Sequence, residues 1–207
     1  MFITFEGSEG SGKTSQIAPL ADYLRQRGRD VLTTREPGGA PIIEQIRAVI
    51  LDRKNTEMHA RTEILLFQAA RAQHVEQVIR PHLQKGGIVL CDRYADSTLA
   101  YQGYGRQTDQ TELRKIVAYA TGGLSPDLTL LFDLDVVEGL QRREKCGDIN
   151  RLDALDLEFY QRVRQGYLAL AREEPARWVI IDAAQSIQGV QEQVCEAVNN
   201  RLAHSGG

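Results

Sequence analysis

The sequence predicts an α/β fold built on a parallel sheet, and three observations carry that expectation. Short apolar, β-branched runs alternate with longer segments of helical period. Each run is mostly apolar along its length, as strands covered on both faces require. Several runs end in an acid or a basic residue, and the carboxyl ends of strands are where open α/β sheets bind ligands. The chain has 207 residues, of which 42% are hydrophobic, enough for one domain spanning 1–207 with a real core.

The elements follow in order. Met1–Glu6 is the first strand, an apolar run stopped by an acid and then by glycine. Lys13–Arg27 is a helix, with Gly28 placed as its stop. Asp30–Thr34 is the second strand, and Ile42–Leu51 the helix after it. Arg61–Gln84 reads as one long helix whose end Pro81 should bend or weaken, stopped by Gly86-Gly87. Ile88–Asp92 is the third strand, followed by helices over Asp96–Tyr101 and Thr111–Thr121. Leu128–Asp133 is the fourth strand and Val137–Lys145 the next helix. The polar, charged run Arg142–Asp153 carries Gly147 and reads as a loop over the sheet. Leu155–Arg172 and Ile187–Ala203 are packing helices around a fifth strand, Trp178–Asp182, and the tail from His204 should fray.

Composition excludes several function classes. A formal net charge of −3 leaves no bulk basic field to hold nucleic acid, so no nucleic-acid partner is expected. The three cysteines, Cys91, Cys146 and Cys195, share no metal spacing and do not suit a disulfide framework. No window approaches the roughly 20 apolar residues of a membrane span. The first strand meets Glu6 and glycines before it could form a secretory leader, so a cytoplasmic setting is expected.

Gly7-Ser8-Glu9-Gly10-Ser11-Gly12-Lys13-Thr14 matches G-x-x-x-x-G-K-[ST] in full, with a strand before it and a helix after it. In that setting glycines let backbone N–H groups turn inward onto phosphates at a helix N-terminus. Lys13 is expected to reach the β- and γ-phosphates of ATP, and the Thr14 hydroxyl to hold Mg²⁺. Phosphoryl transfer then needs further cations converging on the same point. Arg35 in Thr34-Arg35-Glu36-Pro37-Gly38-Gly39, read as following the second strand, is one candidate. Asp92-Arg93-Tyr94 after the third supplies an acid for the magnesium and a guanidinium that can fork onto phosphate oxygens. Phe67 and Arg71 are one turn apart, so a ring and a guanidinium share a face that could stack a base and bond its edge.

These residues together resemble the thymidylate kinase family of the bacterial type. The resemblance rests on Phe5-Glu6-Gly7 leading into the phosphate loop, Thr34-Arg35-Glu36-Pro37-Gly38-Gly39, Leu65-Leu66-Phe67 with Arg71, Asp92-Arg93-Tyr94 with Ser97, and Asn150-Arg151-Leu152-Asp153. It implies a three-layer P-loop kinase fold with a five-stranded parallel sheet in the order 2-3-1-4-5, ATP and dTMP as substrates, and a homodimer. It implies that Arg35 and Arg93 hold the dTMP phosphate, with Glu6, Pro37 and Ser97 also among the substrate-binding residues. Phe67 would stack on thymine, Arg71 bond its carbonyl, and Thr98 and Gln102 lie near the base edge. Tyr101 would occupy the place of a ribose 2′-hydroxyl, and Glu6 and Asp92 would sit near the magnesium and the acceptor phosphate. Some members of the family carry an arginine inside the phosphate loop; here Ser8, Glu9, Gly10 and Ser11 contain none. The missing charge is then expected from a lid at about 142–153, where Arg142, Arg143, Lys145 and Arg151 cluster, interrupted by Glu144 and Cys146.

Two other readings are weaker. Asn150-Arg151-Leu152-Asp153 superficially resembles a guanine reader, but with Arg for Lys and in the expected lid rather than at a strand end. The acidic charge balance argues against a DNA-processing ATPase.

Overall fold

Five strands, β1 (Phe2–Glu6), β2 (Val31–Arg35), β3 (Ile88–Asp92), β4 (Leu128–Asp133) and β5 (Trp178–Asp182), form one parallel sheet in the order β2-β3-β1-β4-β5. This is a computed structural model, and it describes residues 1–145, 151 and 156–204. The helices are α1 (Lys13–Arg25), α2 (Pro41–Leu51), α3 (Ala60–His74), α4 (Arg80–Gln84), α5 (Ala95–Thr98), α6 (Gln110–Thr121), α7 (Val136–Lys145), α8 (Leu157–Glu173) and α9 (Ile187–His204).

Strand alternation divides the core between two layers. Ile3 and Phe5 of β1, with Leu128, Leu130 and Phe132 of β4, pack against Leu20 and Leu24 of α1 and Val194 and Val198 of α9. Leu131 of β4 turns the other way, to Val117 of α6 and to Tyr160, Val163 and Tyr167 of α8. Glu6 lies at the carboxyl end of β1, fully buried, and this places a carboxyl group under the future site. Helix starts are capped by local chemistry: the Asp109 carboxylate accepts from Thr111 N–H at 2.8 Å, Asp156 from Phe159 N–H at 2.6 Å, and Asp135 from Val137 N–H at 3.0 Å.

The structure corrects three boundaries. The long helix expected over Arg61–Gln84 is broken by a π-type stretch, Val75–Ile79, in which Arg80 N–H reaches back to the Val75 carbonyl. Pro81 has no N–H to continue the regular ladder, and the widened turn sits just before it. The helix expected over Asp96–Tyr101 starts as α5 and runs on as a second π-type stretch, Leu99–Gly105. Finally, β2 extends through Arg35, which pairs in register with Asp92, so Arg35 belongs to the strand rather than to the loop after it. Of the segment expected as a lid, residues 146–150, 152 and 153 lie outside the described residues, as do Leu155 and the tail beyond 204.

Candidate active site

The turn out of β1 is glycine-dependent. Gly10 has φ 69, and a Cβ there would run into the Gly139 carbonyl oxygen. The loop delivers Lys13 as the first residue of α1, and its buried ammonium donates to the Gly7 carbonyl at 3.0 Å, the Ser8 carbonyl at 2.8 Å and Ser11 Oγ at 3.1 Å. Burial, with Arg93 adding to it, lowers the Lys13 pKa to about 8. Next in the helix, Thr14 Oγ1 donates to Asp92 Oδ2 at 2.6 Å. The loop, the ends of β2 and β3, α3 and α7 surround a cleft of about 750 Å³.

Arg93 is the centre of the cleft's polar floor. It holds φ 67, a left-handed conformation that costs a non-glycine residue roughly 1 kcal/mol or more. Side-chain bonds compensate. Nη1 donates to the Gly7 carbonyl at 3.1 Å, Tyr167 Oη at 3.2 Å and Ser97 Oγ at 3.3 Å. Nη2 donates to Glu9 Oε1 at 2.8 Å and Tyr101 Oη at 3.0 Å. Tyr101 in turn donates to Glu9 at 3.1 Å. Burial pushes the Glu9 carboxyl up, but Arg93, Lys13 and the Tyr101 bond more than offset this, and the group ends below its ordinary value.

Beneath this floor Glu6 accepts Tyr94 N–H at 2.7 Å, the Ser97 hydroxyl at 2.6 Å and the Tyr167 hydroxyl at 2.9 Å. Burial, with Asp96 adding to it, pushes the Glu6 carboxyl up to about 7. Glu6 does not line the cleft. It reaches Arg93 through Ser97 and Tyr167.

On the far wall Arg71 is buried in a cage. Nε donates to Glu36 at 2.7 Å, Nη1 to Gln68 Oε1 and Thr98 Oγ1 at 2.8 Å each, and Nη2 to the Tyr94 carbonyl at 2.9 Å. Glu36 also accepts from His74 Nδ1 at 2.9 Å, and its carboxyl is held below the ordinary value: burial raises it, but Arg71 and His74 outweigh burial. Half-exposed Phe67 stands one turn from Arg71 on the cleft wall. Gln102 Nε2 is anchored on Glu63 at 3.0 Å. At the rim, Arg35 forks onto Glu44 at 3.0 and 3.2 Å, and Arg47 donates to the Pro37 carbonyl at 2.7 Å.

The structure therefore brings most of the expected residues to one cavity: Glu9 to Thr14 of the loop, Arg35, Pro37, Phe67, Arg71, Asp92, Arg93, Ser97, Thr98, Tyr101, Gln102, Arg142 and Arg143. Gly7 and Ser8 stand behind the loop, their carbonyls holding Lys13. Arg151 is not brought there. Its Nε donates to the Ile50 carbonyl at 2.9 Å and its Nη2 to Glu63 at 2.6 Å, a carboxylate that Arg106 already holds at 2.8 and 2.9 Å. The Arg151 contact here is with the scaffold, on a fully buried Glu63, outside the residues that line the cleft.

Glu36, Arg47 and Tyr167 are the functional neighbours that sequence reasoning missed. Glu36 was legible in principle: a buried arginine needs a carboxylate, and one stood in the Thr-Arg-Glu-Pro-Gly-Gly run. Tyr167 arrives from α8 with no local signal.

The comparisons agree with this geometry. The family model described as thymidylate kinase matches residues 5–194. A thymidylate kinase of Roseiflexus sp. (strain RS-1) is 51% identical, over 98% of this chain and 95% of its own. One from Desulfovibrio desulfuricans is 50% identical, over 100% and 98%. The crystal structure of thymidylate kinase from Ehrlichia chaffeensis superposes with a TM-score of 0.78 at 35% identity, covering 96% of this chain and 98% of that one. With the phosphate loop, the Arg71 cage and Arg93 gathered in one cleft, the chain belongs to the thymidylate kinase family.

Proposed function

We propose that this chain, acting as a single P-loop domain, transfers the γ-phosphoryl group of ATP to dTMP, giving dTDP and ADP, within the cleft described above. The observation that carries the proposal is that one cavity is lined at once by the phosphate loop and by a separate set of Arg35, Arg93, Phe67 and Arg71. That is an arrangement for two nucleotides facing each other. A dTMP phosphate oxygen is already anionic, so the transfer needs no strong general base. The barrier is the mutual repulsion of phosphates and the disorder of two reactants. Lys13, Arg93 and the guanidinium pair Arg142 and Arg143 oppose the first, and the two halves of the pocket the second.

Thr14 and Asp92 fit a magnesium ion. They offer two hard oxygen donors 2.6 Å apart beside the loop, and Mg²⁺ needs only one or two protein oxygens because it keeps waters and substrate phosphate oxygens. When bound, the ion neutralises charge on the β- and γ-phosphate oxygens. On the acceptor side, four bonds to three side chains and one carbonyl fix the Arg71 plane, leaving one of its five N–H groups for a base carbonyl beside the Phe67 ring. The Tyr101 hydroxyl, pinned between Arg93 and Glu9, supports the deoxyribose preference.

A homodimer is supported by Leu65 on α3 and Tyr119 on α6, 58% and 91% exposed, on helices that pack against each other. Light scattering at micromolar concentration should give twice the 23.1 kDa chain mass, and a monomer mass would end that part of the reading. No helix among the described residues is long and apolar enough to cross a membrane. The free thiols Cys91 and Cys195 suit a reducing cytoplasm, and recovery in an extracellular fraction would contradict this.

The deciding experiment is ADP release with Mg²⁺, ATP and a panel of nucleoside monophosphates. dTMP should give the highest kcat/KM. Absence of dTMP-dependent ADP would refute the proposal, and preference for UMP, CMP or AMP would overturn the acceptor assignment.

A further inference from the structure

Gly139 lies inside α7, in a stretch of helix that any residue could adopt, since it is not among the glycines with positive φ. A glycine there weakens the helix relative to alanine. What it permits is contact. A Cβ on Gly139 would stand 2.5 Å from the Glu9 carbonyl oxygen, and a Cβ on Gly10 would overlap the Gly139 carbonyl. Both obstructing groups are backbone and cannot rotate aside. The phosphate loop and α7 therefore touch main chain to main chain, glycine against glycine. The start of α7 is fixed independently, by Gly139 N–H donating to the Asp135 carbonyl at 2.9 Å and by the Asp135 cap. Arg142 and Arg143 follow Gly139 by three and four residues, on the same side of the helix, and both line the phosphate cleft.

We infer that Gly139 is a positioning residue for phosphoryl transfer: its backbone contact with the phosphate loop sets the height at which α7 presents Arg142 and Arg143 to the phosphates. The inference rests on the reading that these two arginines supply charge during transfer. Before ligand binds, Arg142 donates to Glu138 at 2.6 Å and to the Ala183 carbonyl at 3.2 Å, bonds that its guanidinium exchanges for phosphate oxygens without moving the helix. The helix that carries the cations is seated on the loop that carries the donor nucleotide.

Gly139→Ala is the clean test, because Gly10 also needs its left-handed φ. Relieving a 2.5 Å approach to an ordinary contact of 3.4–4 Å moves α7 by about 1 Å, a displacement that can cost about 100-fold in rate. The variant should lose roughly 10- to 100-fold in kcat. Its KM for dTMP should stay within about threefold, because β2, α3 and β3 are untouched. Its melting temperature should fall by no more than a few degrees, since alanine's helix preference offsets part of the strain of displacing α7. Arg142→Ala/Arg143→Ala should lose at least about 100-fold in kcat, and adding Gly139→Ala should cost little more, since the groups it misplaces are gone.

Normal kcat in Gly139→Ala alongside an impaired arginine variant overturns the inference alone. Normal kcat in the arginine variant overturns the underlying reading and the inference with it. Additive losses overturn the inference by showing that Gly139 acts through something else. Parallel falls in melting temperature, kcat and dTMP affinity would reduce Gly139 to a packing residue and also overturn it.

Discussion

The two halves of the cleft hold their cations in opposite ways. On the acceptor side Arg71 is buried, its planar head fixed by Glu36, Gln68, Thr98 and the Tyr94 carbonyl before any ligand arrives. On the donor side Lys13 is also buried, yet no carboxylate among the described residues bonds it. Its ammonium rests on two carbonyls and the Ser11 hydroxyl, and burial lowers its pKa to about 8. Recognition is thus prepaid in one half, while in the other the ammonium's three N–H groups rest on neutral partners that phosphates can displace. The difference fits the tasks. A base is recognised by fixed geometry, whereas a transferring phosphoryl group needs a cation whose best partner is the substrate itself.

The sharpest way to break this contrast is to remove the donor-side cation. Lys13→Ala should lower kcat by at least about 10³-fold, because the charge that meets the developing transition state is lost. Folding should survive, since the partners left behind are loop carbonyls rather than a buried opposite charge. Near-normal kcat with ATP saturating would show that Lys13 is a structural tether for the loop and not a catalytic group.

The acceptor side should fail differently. Glu36→Gln strips the counter-charge from a buried Arg71 and should cost about 3 kcal/mol, or roughly 6–12 °C in melting temperature for a chain of this size. The pH dependence has a definite sign. The folded Glu36 carboxyl lies below its ordinary value of 4.5, so its stabilisation is present above that value and lost as pH falls through the folded pKa. The variant should lose that acid-side slope. An unchanged melting temperature would mean the Arg71 cage is held by its other three bonds alone.

What the sequence made legible follows from what local chemistry can dictate. The phosphate loop was readable because its turn demands glycine at Gly7 and Gly12, both at positive φ, and its function demands one lysine at fixed spacing. The ends of β3, β4 and β5 fall where expected, since each apolar run meets an aspartate. The π-type stretches Val75–Ile79 and Leu99–Gly105 were not readable. The weak helix formers they contain, Gly103 and Gly105 in one and Val75, Val78 and Ile79 in the other, do not specify a widened turn, which depends on what packs against it. The Arg151 contact was hidden for a related reason. In sequence it is one cation of a cluster, and only the fold reveals that Glu63, 88 residues away, claims it. Tyr167 contacts Glu6 across a separation of 161 residues, and nothing local to either could announce the pair.

A smaller effect separates recognition from catalysis inside the acceptor half. Phe67→Ala removes a stacking face that alanine series on bases value at about 1–3 kcal/mol, so KM for dTMP should rise about tenfold or more while kcat changes little. The half-exposed ring closes one wall of the cleft without taking part in the Arg71 cage, so the cage should stay intact and the melting temperature should barely move. A fall in kcat as large as the rise in KM would mean the base and the phosphate are not positioned independently.

The subtlest prediction returns to Lys13. In the ligand-free protein its pKa is lowered to about 8, mainly by burial and next by Arg93. Bound triphosphate places negative charge beside the ammonium and must raise that pKa. Below pH 8 the lysine is already protonated and ATP binds with full affinity. Above pH 8 binding has to take up a proton, so affinity falls, by about fivefold between pH 8 and pH 9. Calorimetry at pH 8.5 in two buffers of different ionisation enthalpy should register that uptake, and Lys13→Met should abolish it. The acceptor half supplies the internal control: its cations lining the cleft are arginines rather than a lysine, so dTMP affinity should show no matching slope. If ATP affinity were flat from pH 7.5 to pH 9, the donor-side cation would be as settled as Arg71, and the contrast between the two halves would collapse.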